Sequence, residues 1–223
     1  DLWTSEDEGL SWQGHTTMSD STDLHLNETT FCQLDDGTII CYIREDKEQR
    51  CGFKAISTDD GITWNGPFRT DMLACVGRPE AGVLRSGEVV VFYGFGNAPR
   101  LLVLHAEDQA RAADPDCTTK RNTSHLTPDY RRFFVDHDRS VHPDGAYCGW
   151  VQLPSGEIYL VQYIVDDAPM AFIRSYRISR SDWLLSPEPG IARIEPSRYK
   201  EALYHEQTLN STAKLYQSEA RNE

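Results

Sequence analysis

The sequence is poor in positive charge. Its 223 residues hold 22 Lys and Arg against 35 Asp and Glu, a formal net charge of -13. Nucleic acid binding needs a basic stripe, so this balance argues against it. A small anionic ligand stays open, because a local cluster of arginines overrides the global sign. No apolar run approaches the length of a membrane span. No C-x-x-C pair occurs among the six cysteines, Cys32, Cys41, Cys51, Cys75, Cys117 and Cys148, which argues against zinc. Several of them lie in strand-like runs, where a free Cys acts as a small hydrophobe. Their even number permits disulfides without showing them. The chain opens on Asp1-Leu2-Trp3 with no leader, as a processed or truncated form or a cytosolic one would. A secreted or periplasmic location is the favoured expectation. Three N-x-S/T sequons, at Asn27, Asn122 and Asn210, weigh little, since such triplets arise often by chance.

What is present is strand pattern. Thr29–Leu34 is apolar and β-branched, Asp35-Asp36-Gly37 is a hairpin signal, and Thr38–Ile43 and Cys51–Ile56 read as the next strands. The frame of strand, turn ending in Gly, and strand recurs at Leu34–Gly37, Leu84–Gly87 and Leu153–Gly156. Its spacings, about 50 and 70 residues, suit the four-stranded antiparallel blades of a β-propeller. The chain therefore reads as all-β, with blades at residues 27–70, 78–112 and 145–185 and the end of another at 1–16. Residues 107–144 read as a long polar excursion with some helix near Glu107–Ala113. Within it His137 stands between Asp136 and Asp138, like a metal-ligand set. In a long loop a solvated charge run is the preferred reading, and no metal or cofactor is expected. Residues 186–223 read as a tail, with a short helix at Lys200–Gln207 and then disorder.

One octet occurs twice. Ser5-Glu6-Asp7-Glu8-Gly9-Leu10-Ser11-Trp12 and Ser57-Thr58-Asp59-Asp60-Gly61-Ile62-Thr63-Trp64 share the pattern S-x-D-x-G-x-[ST]-W. Gly permits a positive φ in a tight turn. Asp and Ser or Thr side chains bond the turn's own amides. Trp is expected to bury its ring beneath the hairpin as a staple, which makes the octet a folding element first.

These octets resemble the Asp-boxes, or BNR repeats, of the sialidase (neuraminidase) superfamily. Further segments extend the resemblance over about residues 1–185. Asn27-Glu28, then Leu34-Asp35-Asp36-Gly37 and Arg44, is similar to the family segment holding the Glu that activates the nucleophile and an arginine of the substrate triad. Arg100 before Leu101-Leu102-Val103-Leu104 resembles the next triad arginine. Gly145-Ala146-Tyr147 resembles the segment that carries the nucleophilic Tyr. The resemblance implies a six-bladed propeller, of which this chain holds the C-terminal three to four blades. The family's R-I-P segment and its catalytic Asp have no match here, so the chain is read as a fragment or as a divergent propeller with fewer blades.

The residue types suit that chemistry. Sialic acid carries a carboxylate on its anomeric carbon, and arginines grip carboxylates with two charge-assisted hydrogen bonds. A carboxylate nucleophile would repel that charge, whereas a neutral Tyr whose proton is drawn off by a neighbouring Glu avoids the repulsion. The implied catalytic residues are Glu28 and Tyr147, and the implied substrate-binding residues Arg44 and Arg100. Arg78 competes with Arg100 for the clamp. Each has a plain alternative: a strand-edge cap for Glu28, a surface ion pair with Glu45 or Asp46 for Arg44, a solvated loop position for Arg100, a core aromatic for Tyr147. The expected partner is a sialylated or other acidic glycan. The rival readings are a non-catalytic carbohydrate-binding or scaffold propeller, and a propeller glycosidase for another sugar. The catalytic reading predicts that the Tyr147 hydroxyl lies about 2.5–3.2 Å from the Glu28 carboxylate. It also predicts that Arg44 and Arg100 aim at one point.

Overall fold

The computed structural model describes residues 1–19, 23–47, 51–73, 75, 77–96, 100–117 and 130–183. Asp1–Leu184 form one compact unit. Leu185–Glu223 form a second, which lies outside the described residues, as does the helix expected at Lys200–Gln207.

The first unit is built of antiparallel strands. A two-stranded sheet pairs β1 (Leu2–Thr4) with β2 (Gln13–Thr16). The next sheet is a four-stranded meander of β3 (Leu26–Gln33), β4 (Ile39–Glu45), β5 (Cys51–Ser57) and β6 (Asn65–Leu73). A third holds β7 (Glu80–Val83), β8 (Val89–Phe95), β9 (Leu101–Glu107) and, after the short helix α1 (Gln109–Ala112), β10 (Tyr130–His137). The last holds β11 (Gly145–Gln152), β12 (Ile158–Ile164) and β13 (Phe172–Ile178), followed by the helical turn α2 (Arg180–Trp183). The meander in sequence order is the blade topology that the turn spacing implies.

Strand β10 corrects one expectation. Tyr130–His137 is the fourth strand of its sheet and pairs with β9 along its length. It does not belong to a polar excursion. Its charged residues hide a period of two: Phe133 and Val135 pack into the core, while Phe134 between them is 52% exposed.

Alternation also explains how the sheets stack. β8 is buried on both faces. Val89, Val91 and Tyr93 join Ile40, Tyr42 and Leu34 of the preceding sheet in one apolar cluster. Val90 and Phe92 join Cys148, Ile158 and Leu160 of the following sheet in another. Such two-sided burial is what a middle blade requires. β3 accordingly packs against β7, and β11 against β8 and β9. Burial continues to the cysteines: all six are free thiols and buried. Desolvation pushes Cys32, Cys41, Cys75 and Cys148 up to about 12, so they stay protonated at neutral pH.

The three hairpin turns are copies of one device. Leu34, Leu84 and Leu153 each accept the amide of a glycine three residues on, at 3.0, 2.8 and 2.9 Å. Their own amides donate to Thr38, Glu88 and Glu157, each at 2.8 Å. Gly37, Gly87 and Gly156 sit at φ of 90, 94 and 92°, where a side chain would be strained.

The two octets fold alike, bond for bond. Ser5 and Ser57 Oγ accept from Gly9 and Gly61 N at 2.8 and 2.9 Å. Asp7 and Asp59 Oδ1 accept from Ser11 and Thr63 N at 2.8 and 2.9 Å. The Trp12 and Trp64 indoles donate to Gly9 and Gly61 O at 3.1 and 3.0 Å. Ring burial differs from expectation. Trp64 is half-buried against Phe31, at 6.0 Å between centroids. Trp12 is 61% exposed, in a sheet that among the described residues holds only β1 and β2.

Candidate active site

The repeat places the site. Glu28, Arg78 and Tyr147 each precede the turn glycine of their blade by nine residues. An acid, a base and a phenol thus share one structural position at the start of three successive inner strands. In the first and third blades that position is a β-bulge. Leu26 pairs with Glu45 and Thr29 with Ile43, so Asn27 and Glu28 together oppose the single residue Arg44. Gly145 pairs with Ile164 and Cys148 with Gln162, so Ala146 and Tyr147 together oppose Tyr163. A bulge adds a residue to one strand and re-aims its side chain. Ala146 accepts φ of 69° to do so, and its amide donates to Gln162 Oε1 at 3.1 Å.

Three of the five sequence candidates are in direct contact. Tyr147 Oη donates to Glu28 Oε1 at 2.5 Å. Arg44 Nη1 donates to Glu28 Oε2 at 2.6 Å and to Tyr147 Oη at 3.2 Å. The side chains of Arg44 and Glu28 are 20% and 31% exposed, so the cluster is sheltered and still reachable. Desolvation and the Glu28 carboxylate raise Tyr147 above an ordinary phenol, with Arg44 opposing. Burial pulls the Arg44 guanidinium down, but Glu28, Tyr147 and Asp46 outweigh it and raise it. Arg44 Nε is buried and has no hydrogen-bond partner among the described residues.

Arg100 stands one step away. Its Nη1 donates to Asp144 Oδ1 at 2.9 Å and to Gly145 O at 3.4 Å. Its link to the cluster runs through Tyr163, whose hydroxyl donates to the same Asp144 oxygen at 2.8 Å. The Tyr163 ring stacks on Tyr147, with centroids 6.0 Å apart and planes at 27°. Desolvation and Asp144 push the Tyr163 phenol up to about 12. Arg78 Nη2 lies 2.9 Å from Glu80 Oε2, and its side chain is 44% exposed.

Sequence reasoning missed Asp144 and Tyr163. Tyr163 follows Gly156 by seven residues, as Arg44 follows Gly37, and aligning the blades on their turn glycines finds it. Asp144 carries no such signal. Asp46, a sequence candidate for pairing with Arg44, lies 3.9 Å from Arg44 Nη2, accepts from Asn27 Nδ2 at 2.7 Å and pairs with His25. The aspartates flanking His137 turn to protein partners. Asp136 holds Arg174 and Tyr176, at 2.7 and 2.5 Å. Asp138 accepts from the amides of Ser140, Asp144, Val165 and Asp166 and so ties down the loop that leads into β11.

No family model and no curated protein matches this chain. Solved structures do. A protein of unknown function from Dyadobacter fermentans superposes with a TM-score of 0.63 at 19% identity, over 79% of this chain and 44% of its own. The intramolecular trans-sialidase from Ruminococcus gnavus gives 0.57 at 14% identity, over 83% of this chain and 39% of its own. NanB sialidase from Streptococcus pneumoniae gives 0.55 at 14% identity, over 82% and 27%. At such identities the likeness is one of fold. Over its described residues the chain has the all-β fold of a sialidase-type propeller, and it spans less than half the length of these neighbours.

Proposed function

We propose that this chain carries the nucleophile half of a glycoside hydrolase site for a terminal sialic acid or a related acidic sugar. The observation that carries the reading is the contact of Tyr147, Glu28 and Arg44, which come from two blades. A phenol hydrogen-bonded to a carboxylate can lose its proton as it attacks. In this reading Glu28 takes the Tyr147 proton, and the phenolate oxygen bonds to the anomeric carbon as the bond from that carbon to the aglycone oxygen breaks and the aglycone departs as its oxyanion; water, giving its proton to Glu28, then displaces Tyr147 and frees the sugar. Arg44 limits the charge that builds up on the pair. Arg44 and Arg100 bind the sugar's carboxylate, with Arg78 available from the intervening blade. The fold neighbours that include sialidases support the substrate class.

The reading assigns no general acid within the chain, and an aryl sialoside tests it on those terms. A phenolate leaves without being protonated, so turnover then depends on the nucleophile. The expected outcome is hydrolysis by the wild-type chain and a loss of about a thousandfold or more in kcat for Tyr147→Phe, with KM within a few fold. Equal rates for wild type and Y147F would overturn the assignment. One observation favours a second reading, a non-catalytic glycan-binding propeller: Arg100 is engaged by Asp144 and does not touch the Tyr147 cluster. Binding of the sialoside without any turnover would select it.

A further inference from the structure

The site contains a second unit of the same make as the first. Tyr147, Glu28 and Arg44 form one phenol–carboxylate–guanidinium trio. Tyr163, Asp144 and Arg100 form another, and the two meet through the stacked tyrosine rings. The second trio differs in exposure. The Asp144 side chain is 58% exposed while Arg100 is only 18% exposed. The sheltered Arg100 thus carries an exposed carboxylate on its Nη1.

The donor inventory of Arg100 sharpens this. Nη1 is taken by Asp144 and, more loosely, by Gly145 O. Nε is buried and finds no hydrogen-bond partner among the described residues. A ligand carboxylate that grips a guanidinium with two prongs uses either the Nε–Nη2 edge or the Nη1–Nη2 edge. Nε of the first edge is buried, and Nη1 of the second already donates to Asp144. The Tyr163 hydroxyl donates to the same Asp144 oxygen, and the Asp144 amide is tied to Asp138 Oδ2 at 3.2 Å.

We propose that Asp144, held by Tyr163, is a specificity-determining residue that competes with the substrate's carboxylate for Arg100. This rests on the acidic-sugar reading given above. An anionic sugar must displace the Asp144 carboxylate from Nη1 or share the guanidinium with it. Either way it meets a negative charge at the clamp. A sugar without a carboxylate meets no such cost, so Asp144 narrows the preference for acidic sugars and lowers affinity for them.

The test measures dissociation constants of N-acetylneuraminate and of its methyl ester, which is uncharged at the same carbon. Wild type, Asp144→Asn and Tyr163→Phe are compared. Asn keeps an oxygen that accepts from Tyr163 and Arg100 but removes the charge; Phe keeps the stacked ring but frees Asp144. Asp144→Asn is expected to bind the acid about threefold to tenfold more tightly, the scale of one partly exposed ion pair, with the gain shrinking in high salt. The ester should show no gain. Tyr163→Phe should show a smaller gain of the same sign, and it decides the matter if the Asp144 variant does not fold. A wild type that binds the acid while neither variant binds it better, or variants that gain equally for acid and ester, overturns the competitor role and leaves the acidic-sugar reading standing. A chain that binds neither ligand in any form overturns both.

Discussion

Tyr147 shows how a residue acquires chemistry from neighbours remote in sequence. Its hydroxyl meets a carboxylate 119 positions away, and its ring meets one of its own blade. The raised pKa is a statement about which form the fold prefers. Below the ordinary phenol value the neutral form's contribution to stability is fully present. It is lost as pH rises through the folded value. A difference titration at 295 nm between wild type and Tyr147→Phe should therefore place Tyr147 above an ordinary tyrosine. Glu28→Gln should bring its midpoint down, and no change would mean that Glu28 does not hold the proton there. Glu107 shows the opposite sign. It is buried, and burial alone would raise it; hydrogen bonding and charge from His105, Lys54 and Tyr42 outweigh that and hold it at about 2. Its contribution is present above its unfolded value of about 4.5 and is lost as pH falls through about 2. Wild-type stability should decline in that window, and Glu107→Gln should flatten the decline. The variant should also lose roughly 3–5 kcal/mol near neutral pH, as breaking a buried charge pair does. Urea unfolding at several pH values measures both.

At the scale of the element, turn and bulge carry the design. The octet turns are closed by bonds within the octet itself, spanning four residues or fewer. What the surroundings add is ring burial, and that separates two otherwise identical motifs. Trp64→Ala should cost roughly 2–3 kcal/mol, somewhat below the range for emptying a fully buried aromatic site. Trp12→Ala should cost under about 1 kcal/mol, since most of its ring already meets water. Equal losses in a denaturant titration would show that the indole-to-glycine bond, and not burial, is what matters. β1 and β2 flank the first octet as β5 and β6 flank the second, which marks β1–β2 as the outer pair of a blade. The bulges do separate work. They give inner strands β3 and β11 one residue more than their partners, and that residue turns Glu28 and Tyr147 toward each other.

On the scale of the whole first unit, the site depends on how closely blades approach. Gly82 of β7 lies under the Trp150 indole of the next blade, and a Cβ there would come within 2.6 Å of the ring. Phe92 meets the same ring at 5.9 Å between centroids. Gly82→Ala should therefore force the third blade outward. It should destabilise the protein by about 1–3 kcal/mol and weaken ligand binding, since Tyr147 rides on the displaced blade. A variant with wild-type stability would mean that the indole moves aside at no cost. Polar ties brace the same interfaces. Gln109 of α1 accepts from Asp35 N at 2.9 Å and donates to Gly87 O at 2.9 Å, joining the turns of two blades. The fully buried Lys54 ammonium donates to the carbonyls of Arg111 and Ala112 at the end of α1, at 2.9 and 2.6 Å.

Residue patterns along the chain were enough for the strands of blades one and three, the first three strands of blade two, the three turns and the twin octets. Each of these is set by residues close together along the chain: a period of two, a glycine at positive φ, a side chain bonding its own turn. The resemblance to sialidase segments marked Glu28, Arg44 and Tyr147 as well. The rest came from contacts between residues far apart along the chain. β10 needed a partner strand to show that Tyr130–His137 is sheet, because its charges mask the alternation. Trp12 and Trp64 differ in exposure although their octets fold alike. The pairing of Arg100 with Asp144 spans 44 positions, and that of Tyr163 with Asp144 spans 19. No local pattern encodes contacts of that kind. They exist because the bulge in β11 and the loop tied down by Asp138 bring three strand ends to one place.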